Sequence, residues 1–195
     1  MKNLLKYILV LLIISSCQTK IKEEIKLADD PIKSWHEFES KNKAFIVEFP
    51  LSEVRRKEDF YFDEDNIKRK STMMSINLQD SLNKLNFAYS ASYSNFKELQ
   101  TGEFGIDEFY NWQKEHFIEV TGNNPVYDKE IKIGKLTGRE MQFKLINTHT
   151  SVRYRLVIKD STYYLLQVLT SMDDKHPINL ASKKFFESFK FKSKP

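Results

Sequence analysis

The chain has 195 residues, with 31 Lys and Arg against 27 Asp and Glu, a formal net charge of +4, and one cysteine, Cys17. One cysteine excludes intramolecular disulfides and any zinc site built from several thiolates. The near balance of charge gives no argument for a nucleic-acid partner, and the fold must rest on its core, a task that fifteen Phe and nine Tyr suit.

Lys2 and Lys6 make a positive start, Tyr7 to Ile14 an apolar run, and Ser15-Ser16 precede Cys17. The run is shorter than the about 20 residues that span a bilayer. A positive start, a short apolar segment and small residues make a secretory signal. Ile14-Ser15-Ser16-Cys17 resembles the lipobox of bacterial lipoproteins. The resemblance implies cleavage between Ser16 and Cys17, a diacylglyceryl group on the thiol and an acyl chain such as palmitate on the freed amine. The plainer alternative is an ordinary secretory leader with an incidental cysteine. Each buried lipid methylene contributes about 0.8 kcal/mol, so two or three chains hold a protein stably on a membrane. Lipidation also removes Cys17 as a nucleophile.

Gln18 stands where an Asp often retains a lipoprotein at the inner membrane, which favours the outer membrane, facing the periplasm. Lys22-Glu23-Glu24 resembles short acidic signals for surface exposure, against the plainer reading of a solvated charged tether. The expected organisation is a signal peptide over 1–16, a lipidated cysteine and flexible tether over 17–33, and one folded domain over 34–195, long enough for a sizeable core.

Phe45, Val47 and Phe49 alternate with Ile46 and Glu48 before Pro50, which predicts a short strand. Residues 55–70 place Phe60-Tyr61-Phe62 and an acidic Asp63-Glu64-Asp65 between basic arms, a hairpin or a loop. Further strands are expected over 72–78 and 85–94. In the second, Leu85, Phe87, Tyr89, Ala91 and Tyr93 alternate with small or polar residues, so one face is buried and one lightly covered. Residues 107–120 carry the best helical stripe, with Asp107 as N-cap and Gly122 closing it. A second helix is expected over 179–189, behind Pro177.

Between the helices, 136–146, 151–159 and 162–170 read as an antiparallel meander turned at 147–150 and at Asp160-Ser161. That register sets Met141 against Leu156, Phe143 against Tyr154, Leu145 against Val152 and Arg139 against Ile158. The third strand is apolar on both sides, through Tyr163, Leu165 and Leu169 on one and Tyr164, Leu166 and Val168 on the other. It should lie centrally in a sheet covered on both faces. The expected class is α+β: one mostly antiparallel sheet with helices over both faces.

Several short motifs follow that order: Trp35 with Phe38, Phe45-Ile46-Val47-Glu48-Phe49-Pro50, Gly138-Arg139-Glu140, Arg153-Tyr154-Arg155, Tyr163-Tyr164-Leu165-Leu166 and Phe185-Phe186-Glu187-Ser188-Phe189-Lys190. They resemble the PsbP-like α/β/α sandwich over about residues 35–192. That family holds photosystem assembly or stabilising proteins and many bacterial lipoproteins. The resemblance implies a binding or assembly scaffold rather than a common reaction, and it carries over no catalytic residue.

His36, His116, His149 and His176 fall on different elements without metal-site spacing, so no metal and no cofactor are expected. Glu115 and Glu119 share one helix face and read as solvated. Two features stand as candidate binding residues. Arg139 shares an apolar face, where an arginine needs a partner; the alternatives are a structural pair with a helix acid and recognition of an anion or partner carboxylate. Phe60, Tyr61 and Phe62 form either a charged hairpin or an aromatic tip that touches a partner.

The expected function is a non-enzymatic, membrane-anchored accessory, assembly or binding factor with an envelope protein partner. The alternative is a small-ligand-binding lipoprotein with a pocket lined by Tyr89, Tyr93, Tyr154 or Gln167. A hydrolase with a noncontiguous site ranks last. Replacing Cys17 by Ser is expected to abolish incorporation of labelled palmitate and to leave the leader uncleaved, as read by metabolic labelling and gel mobility.

Overall fold

A computed structural model of the chain describes residues 35–50, 53–62, 68–77, 88–96, 99, 102, 105–145, 150–171 and 176–192. Ser16, Cys17, the expected tether and the acidic stretch at 63–67 lie outside the described residues. The elements are β1 (His36–Glu39), β2 (Phe45–Phe49), β3 (Arg55–Phe62), β4 (Lys68–Asn77), β5 (Ala88–Asn95), α1 (Ile106–Thr121), β6 (Tyr127–Ile133), β7 (Leu136–Leu145), β8 (Thr150–Lys159), β9 (Thr162–Ser171), α2 (His176–Ser188) and β10 (Lys190–Phe191).

These strands make two sheets. The larger runs β3-β4-β5-β9-β8-β7-β6 and the smaller β1-β2-β10; every pairing is antiparallel. Strand β9 takes the central place its two apolar faces demand. On one side Tyr163 joins Met141, Phe143, Val152, Tyr154, Leu156 and Ile158 beneath Phe109, Tyr110 and Phe117 of α1. Phe117 stacks on Tyr154 at 4.0 Å between ring centroids, 4° from parallel. The Tyr110 hydroxyl donates to the Thr137 carbonyl at 3.0 Å and accepts from the Ile158 amide at 3.2 Å, which pins α1 to two strands at once.

On the other side Tyr164, Leu166 and Val168 join Val157, Tyr89, Ala91, Met74 and Ile76. Their cover combines Phe45, Val47 and Phe49 of β2 with Ala181, Phe185 and Phe186 of α2, and Phe189 just beyond it. The Ser188 hydroxyl accepts from the Glu48 amide at 2.9 Å and donates to the Phe185 carbonyl at 2.7 Å, locking α2 to β2.

The expected helix-covered sandwich is therefore corrected. Among the described residues there are ten strands and two helices, and one face is closed by a second sheet together with α2. Dimensions explain this. A helix is about 10–12 Å across and strands lie about 4.8 Å apart, so one helix covers roughly two to three strands. Seven strands need more cover than α2 provides, and the alternating apolar side of β2 supplies it. The opposite face of β5, which carries Ala88, Ser90, Ser92 and Ser94, needs little cover.

Three strands carry too weak a pattern to be read from sequence. Strands β1 and β10 have four and two residues. Strand β6, Tyr-Asp-Lys-Glu-Ile-Lys-Ile, is an edge strand bristling with charge, a pattern that keeps open edges from pairing with other chains. The β7–β8 register also differs by two residues: Met141 opposes Tyr154, Phe143 opposes Val152, and Arg139 opposes Leu156. A slip of two keeps every side chain on its expected face. The turn at Asp160-Ser161 is as expected, with φ of 49° and 58°, the left-handed pair that a tight hairpin requires.

Helix α1 begins after Gly105 without a side-chain cap and ends on Gly122, whose φ of 70° permits the left-handed closing turn. Gly138 in β7 is required for another reason. A Cβ there would stand 2.3 Å from the Leu156 carbonyl oxygen. Gly138→Ala is expected to force β7 and β8 apart and to cost about 2 kcal/mol or more, read as a lower urea midpoint at unchanged m-value.

Candidate functional site

The covered face carries a cleft on its β3–β4–β5 side. Two cross-sheet rows form its floor. One runs Arg56, Met74, Ala91, Leu166; the next runs Glu58, Thr72, Tyr93, Tyr164. The β1–β2 turn overhangs these rows. Ser40 builds that turn: its hydroxyl accepts from the amides of Ala44 at 3.0 Å and Phe45 at 3.1 Å and donates to Asn42 Oδ1 at 2.8 Å. Lys43 completes it with φ of 55°. Turn and rows enclose a cleft of about 480 Å³, with Phe45 of the small sheet above, Met74, Ala91 and Tyr93 below, and Ser40, Lys41, Arg56 and Glu58 along its rim.

The rim is held by charge. Lys41 of the turn reaches Glu58 of β3 at 2.6 Å, and Lys70 of β4 reaches the other Glu58 oxygen at 3.1 Å. Hydrogen bonds from Lys41 and Lys70 hold the Glu58 carboxyl below its usual range. The group is thus an ionised strut across the cleft mouth, unlike a general acid, whose proton must be retained near neutral pH. Lys57 bridges Asp59 at 3.0 Å. Arg56 is exposed and makes no ion pair with a described residue, and Glu39, whose charge it feels, is bridged to Lys192.

A second polar cluster lies on the β6–β7–β8 side of the same face. Glu140 is only 5% exposed. Its carboxylate accepts from Arg155 at 2.6 and 3.0 Å and from the Tyr127 hydroxyl at 3.0 Å, and it pairs with Lys129 at 2.9 Å. Burial pushes this carboxyl up, but the hydrogen bonds from Arg155 and Lys129 outweigh it and hold the group below its usual range. Arg155 also donates to the Phe186 carbonyl at 3.0 Å and lies 4.8 Å over the Phe186 ring, which fastens α2 to β8. This constellation is a clamp between cover and sheet.

The sequence candidates are distributed as follows. Arg139 donates from Nε to Asp128 Oδ1 at 2.9 Å and from its other arm to Asp128 Oδ2. Its carboxylate lies on strand β6, which the sequence pattern hid, while α1 supplies a cation, Lys114, 3.5 Å from the same acid. Phe60, Tyr61 and Phe62 end β3 opposite Lys70, Arg69 and Lys68, far along the strand from Arg55; only their strand positions are described. Of the tyrosines expected around a pocket, Tyr93 lines the cleft, whereas Tyr89 is a core residue and Tyr154 is buried under α1.

His36 is exposed on β1 and His116 half-buried on α1, where burial lowers its pKa. His149 lies outside the described residues. Glu115 and Glu119 are exposed. The described residues contain no group of His, Cys, Asp and Glu arranged to hold a metal ion, and no helix among them is long and apolar enough to cross a membrane. The cleft itself went unread in the sequence because Lys41 meets Arg56 and Ala91 only through the docking of the two sheets.

No family model and no curated protein matches the chain. Among solved structures, the chain is similar to the solution structure of a cyanobacterial PsbP from Synechocystis sp. PCC 6803, at 5% identity and a TM-score of 0.47, over 89% of this chain and 98% of that one.

The Glu140 clamp has a pH signature. A carboxyl held low in the folded state stabilises above its ordinary range, and that contribution is lost as pH falls through the lowered value. Arg155→Met leaves a buried carboxylate short of its main partner. The expected loss is about 3 kcal/mol at neutral pH. The gap to the parent should shrink as acid protonates Glu140 in the variant, a trend that urea titrations at several pH values would read.

Proposed function

We propose that the protein is a non-catalytic, lipid-anchored binding factor of the bacterial cell envelope, and that the cleft between its two sheets is the binding site. The observation that carries this reading is the cleft's construction: an apolar floor beneath a rim whose carboxylate is tied to two lysines. Such a site can hold a ligand by burial and charge. The lipobox at 14–17 supplies the membrane attachment, and the outer membrane is the address that Gln18 favours.

Within this reading, an accessory or assembly role with a protein partner and a small-ligand role differ in the occupant. The overhanging Ser40–Phe45 turn favours the second, because it narrows the site into a recess rather than leaving a flat docking face.

Native mass spectrometry of the lipidated full chain released from envelopes is expected to show a small-molecule adduct that Ala91→Phe lacks. Persistence of the adduct in a folded Ala91→Phe protein would exclude the cleft as its site. A protein crosslinked through a photoreactive residue at position 41, with no adduct, would favour the assembly role.

A further inference from the structure

We infer that the cleft takes an amphiphilic organic anion, a carboxylate carried on an aliphatic body of the fatty-acid kind. The inference rests on the binding reading above and adds the chemistry of the occupant.

Charge gives the first part. Two cations, Lys41 and Arg56, face the cleft against one acid, Glu58. Lys41 is committed to Glu58. Glu58 is in turn neutralised from both sides by Lys41 and Lys70, so it does not repel an incoming anion as a bare carboxylate would. Arg56 is left at the rim with no ion pair among the described residues. A guanidinium presents a planar fork of donors that matches a carboxylate in two-toothed fashion.

Shape gives the second part. Arg56 begins the row that continues through Met74 and Ala91 to Leu166, so apolar surface lies directly inward of the cation. Ala91 is the smallest side chain of that row, and it lines the cleft together with Phe45. Methionine thioethers are flexible and polarisable and adapt to chains of varied shape. A volume of about 480 Å³ falls in the range of pockets that enclose small organic ligands. The site therefore has a charged mouth and an apolar recess behind it, the two ends of an amphiphile.

The test uses the lipidated full chain in zwitterionic nanodiscs, with empty discs as background. The probe is decanoic acid bearing a diazirine on its chain, compared with its methyl ester. The acid is expected to label the Met73–Met74 peptide saturably, with competition by unlabelled decanoate and not by decanol. The ester should label about tenfold less, as expected for loss of a charge-assisted pair. Arg56→Gln should lower labelling by the acid about tenfold and leave that by the ester unchanged. Ala91→Phe, checked for folding by its melting curve, should remove both.

Equal labelling by acid and ester, unaffected by Arg56→Gln, would overturn the anionic ligand while leaving the cleft as a binding site. Absence of saturable labelling by either probe would overturn the cleft reading itself. The decanoate and decanol competition decides between anion and neutral ligand even if Ala91→Phe does not fold.

Discussion

Strand β9 cannot face water on either side. Tyr163, on one face, and Tyr164, Leu166 and Val168, on the other, are buried in two separate cores. Burying each such side chain contributes roughly 1.5–3 kcal/mol, so the strand must be central and the sheet must be covered above and below. The rest of the architecture answers that demand unevenly. Helix α1 covers β7, β8 and β9 on one side, and serines take over on β5, where it does not reach. On the other side α2 and the small sheet share the work.

That division of cover places both polar constellations. Where α2 meets the strands, Arg155 joins the Phe186 carbonyl to the buried Glu140, so the charge is desolvated and fully partnered. Beside the cleft, the cover ends in the β1–β2 turn rather than a helix. The turn is fixed by the Ser40 hydroxyl and propped at its tip by the Lys41–Glu58 bridge. An exposed ion pair stabilises little on its own. Its consequence here is geometric, since it spans the mouth of the cleft and leaves Arg56 as the cation open to an incoming group.

Legibility in the sequence followed the strength of the local pattern. The meander from β7 to β9, the central place of β9, the buried side of β5 and both helices were readable because apolar periodicity matched their geometry. Strand β6 was not, because an edge strand is under no pressure to alternate cleanly and carries charges that mask it. Missing β6 meant missing the partner of Arg139: the need for an acid was readable, but its identity as Asp128 was not. The β7–β8 register went astray by two residues because a displacement of two conserves every facing, so alternation alone does not distinguish the two alignments.

By itself the sequence determined the single cysteine, the two apolar faces of β9, the helices and the hairpin at Asp160-Ser161. These are properties of contiguous residues, set by charge, hydropathy period and backbone preference. Only the tertiary structure decided that a second sheet, rather than helices alone, closes one face, that Asp128 receives Arg139, and that Lys41, Arg56 and Ala91 border one cleft. Those outcomes depend on how much area each covering element reaches and where it stops. That is a matter of widths and docking between segments distant in the chain, which no local pattern encodes.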